Sequence, residues 1–169
     1  MMLRLLGAAL IIAGCSGMGM TIVCSHRKQE AELKYLKKAI QEMTWELKYR
    51  VSPLEELCHA GAGAARGPVR QILTELAVCL HNRDLGSVSQ CLNGLVGKYS
   101  LSRKTRNCLR HLGDSLGRYD LEGQIQGLEE TKELCRRELE ELKEVGSERL
   151  RTCQTLAVCG GTALAILFI

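Results

Sequence analysis

Aromatic side chains are scarce in this sequence: one Trp, one Phe and four Tyr make up 4% of 169 residues, and there are only two prolines. A β-sandwich or barrel draws on aromatic and β-branched pairing and on frequent turns, so this scarcity favours helices. Catalytic signatures are missing as well. There is no G-x-x-x-x-G-K-[ST] loop for phosphates, no G-x-G-x-x-G after a strand, no H-E-x-x-H and no G-x-S-x-G elbow. His59, His81 and His111 lie in helical pattern without a paired nucleophile, so the sequence argues against an enzyme. Nine cysteines are present, but the number is odd and none forms a C-x-x-C pair. Cys108 and His111 stand at a helical i, i+3 spacing, yet a closed zinc site needs four ligands and no second pair accompanies them. Neither a metal nor another cofactor is expected.

What is present is unevenly placed. Leu5–Cys24 and Cys153–Ile169 carry no charge, while almost all the charge lies between them. The first stretch is 20 residues, about 30 Å as a helix, which is one hydrocarbon core. The last would span about 25 Å, short for a bilayer unless thinned or partnered. The expected organisation is an N-terminal transmembrane anchor at 1–24, a helical domain at 25–152 and a C-terminal transmembrane segment at 153–169. Arg27, Lys28, Lys34, Lys37 and Lys38 follow the first segment and Arg149 and Arg151 precede the second. By the positive-inside tendency the middle domain faces the cytoplasm. Ala13, Gly17, Gly160 and Gly161 offer small faces for helix packing in lipid. One alternative is open: Ile12-Ala13-Gly14-Cys15 has the look of a lipobox, and cleavage before a lipidated Cys15 would put the domain outside.

Helical periods run through the middle. Leu33, Leu36, Ile40, Met43 and Leu47 repeat at 3 and 4, and with no breaker before them the anchor and this arm read as one helix over about 3–50. Ser52-Pro53-Leu54-Glu55 restarts the chain, with Ser52 expected as N-cap, Pro53 at the first helical position and Glu55 closing a capping box. Gly67-Pro68 opens a helix with Val69, Ile72, Leu73, Leu76 and Leu80 on one face, and a weaker helix carries Val88, Cys91, Leu92, Leu95 and Val96. A short helix follows with Arg103, Arg106 and Arg110 on one face, suited to an acidic partner or anionic lipid if it is more than a solvated surface. Nucleic acid is not expected, because no stacking aromatics accompany this patch.

Gly113 to Asp120 reads as a turn, with Gly113 and Gly117 as structural glycines and Asp120 as N-cap of the last helix. Asp114, Arg118 and Asp120 are the partner-contact candidates there. Leu121, Ile125, Leu128, Cys135, Leu139 and Leu142 form the final seam, with Lys132 in its one polar slot. Residues 27–50 hold seven basic and four acidic side chains, whereas 121–151 hold six basic and nine acidic. Opposite charge on the two long helices favours antiparallel packing.

"LRLLGAALIIAG", "SPLEEL", "LGDSLGRYDLEGQ" and the closing "GGTALAILFI", in this order and spacing, resemble the stage III sporulation protein AB family of endospore-forming bacteria. The resemblance implies an all-α bundle of about six helices, similar to the platform proteins of type II secretion and type IV pilus machines. It implies a non-enzymatic membrane component of the channel between mother cell and forespore, in the mother-cell membrane around the forespore. Its expected partners are a cytosolic ATPase, stage III protein AA, other channel membrane proteins and membrane lipid, with a second copy of the chain as a further candidate. No small-molecule substrate is implied. The alternative from another class is a membrane-anchored or lipidated coiled-coil adaptor unrelated to sporulation.

Overall fold

The computed structural model describes residues 2–82, 87–116 and 120–168, with side chains described between Ser25 and Gly146. All regular structure among them is α-helical: α1 (Met2–Arg50), α2 (Leu54–Ala64), α3 (Gly67–Asn82), α4 (Val88–Lys98), α5 (Arg103–Ser115) and α6 (Leu121–Phe168). Gln29–Glu140 forms one compact unit, and Met1–Lys28 with Glu141–Ile169 forms another.

The larger unit is built by apolar faces that close on one another. Leu33, Leu36, Ile40 and Met43 of α1 are fully buried and Leu47 nearly so, as their 3–4 spacing predicts. Leu57 and Cys58 of α2, Val69, Ile72, Leu73 and Leu76 of α3, and Cys108, Leu109 and Leu112 of α5 have no exposed surface. Each Leu, Ile or Val among them, taken from water, contributes about 1.5–3 kcal/mol before conformational entropy is subtracted. Helices α2 to α5 pack in sequence, α2 on α3, α3 on α4 and α4 on α5. The Tyr99 hydroxyl, just past α4, donates to Glu75 of α3. Lys48 of α1 reaches Glu129 of α6 at 3.3 Å, while Lys37 lies near Cys135, so the two long helices run antiparallel within this unit.

Four sequence expectations need correction. The capping box at Ser52 does not form: α2 starts at Leu54 behind Pro53, with no side-chain cap. Ser52 instead donates its hydroxyl to Glu46 at 3.2 Å, and Glu55 pairs with His81 at 3.1 Å. The cause lies one residue earlier, where Val51 ends α1 in the left-handed region at φ 52 and turns the Ser52 side chain back toward α1. Gly113 is not in a turn, because α5 continues through Ser115. A Cβ at Gly113 would stand 2.9 Å from Cδ2 of Leu92, so this glycine lets α5 lie close on α4. The polar slot of α6 belongs to Thr131, fully buried, and not to Lys132, which pairs with Glu129. Leu121, the first residue of α6, is exposed.

Among the described residues no helix is long and apolar enough to cross a membrane. The two expected spans, 1–24 and 153–169, have helical backbone wherever it is described, but their side chains lie outside the described residues. Cys15, Ala13, Gly17, Gly160 and Gly161 fall there.

Candidate functional site

Helix α5 is the most charged short element of the larger unit. Ser102 caps it, accepting from the Thr105 amide at 3.1 Å. The reciprocal partner comes from 70 residues upstream: the Glu32 carboxylate, only 5% exposed, accepts from the Ser102 amide at 3.1 Å and the Thr105 hydroxyl at 3.2 Å. A capping box is thus assembled across the bundle, with α1 supplying the acid that satisfies the start of α5. It also places a negative charge at the positive end of a basic helix.

On the outer side of α5, Arg103 and Arg110 are exposed and Arg106 is half-buried. The Arg106 Nε is shielded from solvent and has no hydrogen-bond partner. Lys104, one residue round, turns toward α6 and pairs with Glu138 at 2.7 Å. Arg103 and Arg110 are thus the outward cations of α5, while Arg106 is partly withdrawn and Lys104 is paired toward α6. Asp114, at the far end of the same helix, accepts from the Ser89 hydroxyl at 2.7 Å and ties α5 to α4. Asp120 caps α6, its carboxylate accepting from the Gly123 amide at 3.1 Å and its carbonyl from Gln124 at 2.9 Å. Gly117 and Arg118 lie outside the described residues.

His111 of α5 and a side of α6 of mixed charge, with Glu129, Glu130, Glu133 and Arg137, line an open groove of about 460 Å³. Arg136 and Arg137 hold the Glu133 carboxyl down at about 2, and Lys132 and Lys48 lower that of Glu129. His111 Nδ1 meets the Thr131 hydroxyl at 3.0 Å, and that hydroxyl also donates to the Gly127 carbonyl at 2.7 Å. Cys108 neighbours Cys135, whose thiol is pushed up by the Cys108 thiol and by burial. Burial alone pushes Cys58 up to about 12. Among the described residues no three His, Cys, Asp or Glu side chains converge as a metal site.

Sequence reasoning missed Glu32, Thr105, Thr131 and Gly127. Glu32 carries a readable signal, since it stands four residues before Leu36 in the buried register of α1. Gly127 meets Ser115 closely, and nothing in the sequence near it announces that contact.

These elements define a class: an all-α protein of two long and four short helices, with exposed arginines on the outer side of α5. The chain belongs to the stage III sporulation protein AB family, whose family model matches residues 4–169. That membership gives it a role in sporulation. Among solved structures it is similar to "Stage III sporulation protein AB (SpoIIIAB)" at 18% identity, with a TM-score of 0.62, over 72% of this chain and 98% of that one. That likeness bears on the fold. No curated protein matches the chain.

Proposed function

We propose that the chain is a non-enzymatic platform component of the channel complex joining mother cell and forespore. It is held at the mother-cell membrane by 1–24 and 153–169, with residues 25–152 facing the cytoplasm. There it links the cytosolic ATPase, stage III protein AA, to the membrane ring components. The observation that carries this reading is the arginine ridge of α5. Arg103 and Arg110 are held outward on a helix whose start is fixed by Glu32, so the ridge is presented on a rigid support. Guanidinium groups arrayed at i and i+7 suit an acidic protein surface. Asp114 and Asp120 are exposed but occupied with tying and capping helices, which favours a supporting role for both.

The test is Arg103→Glu/Arg110→Glu in sporulating cells. Glu at position 103 falls in the first turn of α5, where the helix dipole tolerates it. The protein level should hold while sporulation and co-purification of the ATPase fall. Undiminished ATPase capture would remove this ridge from the linkage. Sidedness separates the platform from the lipoprotein alternative. Cys91 is buried, so the reporter is a new thiol at exposed Asn93. An impermeant maleimide should label Asn93→Cys above background only after lysis; labelling in intact cells would favour processing at Cys15.

A further inference from the structure

Among the described residues, four free cysteines stand as neighbours across helix boundaries, Cys79 beside Cys91 and Cys108 beside Cys135. The first pair follows from the way α3 folds back on α4. Cys79 lies three residues before the end of α3 at Asn82, and Cys91 three residues after the start of α4 at Val88, so the two positions mirror each other. The helices pack on one another, and the Tyr99 hydroxyl, donating to Glu75, ties them again farther along. The two thiols meet in a hydrogen bond. Cys91 is 3% exposed, and burial, then the Cys79 thiol, push its own thiol up from the ordinary value, so it keeps its proton. Cys79 is partly exposed and open to a small molecule from solvent.

The second pair is the natural control. Lys104 meets Glu138 at 2.7 Å, His111 meets Thr131 at 3.0 Å, and Ser115 lies against Gly127, a ladder of contacts along antiparallel α5 and α6. Cys108 and Cys135 fall between the first two rungs, and neither has any exposed surface. The two pairs therefore share one chemistry and differ in access. Oxidation of a thiol requires that the oxidant reach its sulfur, and a second thiol at hand converts the first product into a disulfide before it oxidises further. Cys79 and Cys91 meet both conditions; Cys108 and Cys135 meet only the second.

We propose that Cys79 and Cys91 form an oxidation site, where a hydroperoxide is reduced and a reversible disulfide staples α3 to α4. The Cys79 thiolate attacks one peroxide oxygen, the O–O bond breaks, and the departing oxygen takes a proton from solvent, leaving Cys79 as the sulfenic acid. The Cys91 sulfur then attacks that sulfur, and its proton leaves with the hydroxide as water. Two thiols have lost two electrons and two hydrogens, and the peroxide has become an alcohol, or water, plus one water. A small dithiol reverses the bond by thiol–disulfide exchange and carries the disulfide away. The inference goes beyond the platform reading and does not depend on it, since its test needs only the purified chain.

The full-length chain is purified reduced, treated with hydrogen peroxide, alkylated and digested for mass spectrometry. Expected is a cross-link between the peptides carrying Cys79 and Cys91, lighter than their sum by two hydrogens, while Cys108 and Cys135 are recovered as thiols. The loop closed spans 13 residues, so oxidation should raise Tm by about 6–12 °C, and dithiothreitol should return it. Cys79→Ser should leave Cys91 a thiol and abolish the rise. Cys91→Ala should halt the reaction at the Cys79 sulfenic acid, which dimedone captures. Absence of the cross-link, a bond from Cys79 to a second copy instead, or a fall in Tm on oxidation each overturns the proposal. So does oxidation of Cys108 and Cys135 at the same peroxide concentration, or of Cys91 at an undiminished rate in Cys79→Ser. Failure of dimedone to label Cys91→Ala at Cys79 overturns it as well.

Discussion

Gly127→Ala and Gly94→Ala make the same chemical change inside two helices of one unit, and the structure gives them opposite signs. A Cβ built on Gly127 would stand 2.5 Å from Cβ and 2.7 Å from Oγ of Ser115, whereas one on Gly94 meets nothing within 4 Å. Carbon atoms rest at about 3.5–4 Å, so α6 and the end of α5 must part by about 1 Å to admit the methyl group. The obstacle is the stem of Ser115 on a helix, not the free end of a long side chain. Overpacking of this kind costs about 3 kcal/mol at the upper end of its range, offset by the roughly 1 kcal/mol that Ala gains over Gly in a helix. The net loss is about 2 kcal/mol, a fall in Tm of about 4–8 °C for a chain of this size, while Gly94→Ala should raise Tm by about 2–4 °C. Thermal unfolding of the full-length chain, followed at 222 nm, reads both. Ser115→Gly in the Gly127→Ala background removes the opposing Cβ and should return most of the loss. If Gly127→Ala is stabilised as much as Gly94→Ala, the close approach of α5 and α6 is wrong.

Two further outcomes follow from charged contacts. Glu32→Ala leaves the Ser102 amide and the Thr105 hydroxyl without their acceptor and should cost about 2–3 kcal/mol. Glu32→Gln, which keeps an acceptor oxygen, should lose about half as much, read as a lower urea midpoint at unchanged slope; equal losses would show that packing, not the bonds, decides. The Glu133 carboxyl is held at about 2 by Arg136 and Arg137, below its ordinary 4.5, so its contribution is present above pH 4.5 and lost as pH falls toward 2. The Tm difference between the native chain and Glu133→Gln should persist from pH 7 to about 4.5 and close by about pH 2; a difference independent of pH would exclude the ion pairs as its source.

The number of helices, their order and most of their buried faces were legible in the sequence because the signal is periodic. Leu33 to Leu47 and Val69 to Leu76 repeat at the helical interval, and any compact fold must turn such stripes inward. Arg103, Arg106 and Arg110 share a face for the same reason. Details that depend on a partner helix were not legible. Ser52 looks like an N-cap in every local respect, but a strained Val51 aims its hydroxyl at Glu46. Gly113 reads as a helix breaker, yet the closeness of Leu92 makes glycine the residue that lets the helix continue there. Lys132 fits the interval of the α6 seam, but Thr131 takes the buried place because its hydroxyl finds both the Gly127 carbonyl and His111.

The acid that completes the start of α5 sits on α1, and this separation sets an order of events during synthesis. When residue 32 leaves the ribosome, the amide and hydroxyl it will bind are still about 70 codons away, several seconds at ordinary rates of translation. Over that interval α2 emerges and brings Gly61 against Met43, but the bundle that buries the whole face from Leu33 to Leu47 is still incomplete. The nascent arm therefore keeps part of its apolar stripe uncovered until the later helices emerge, and only then does Glu32 close onto α5.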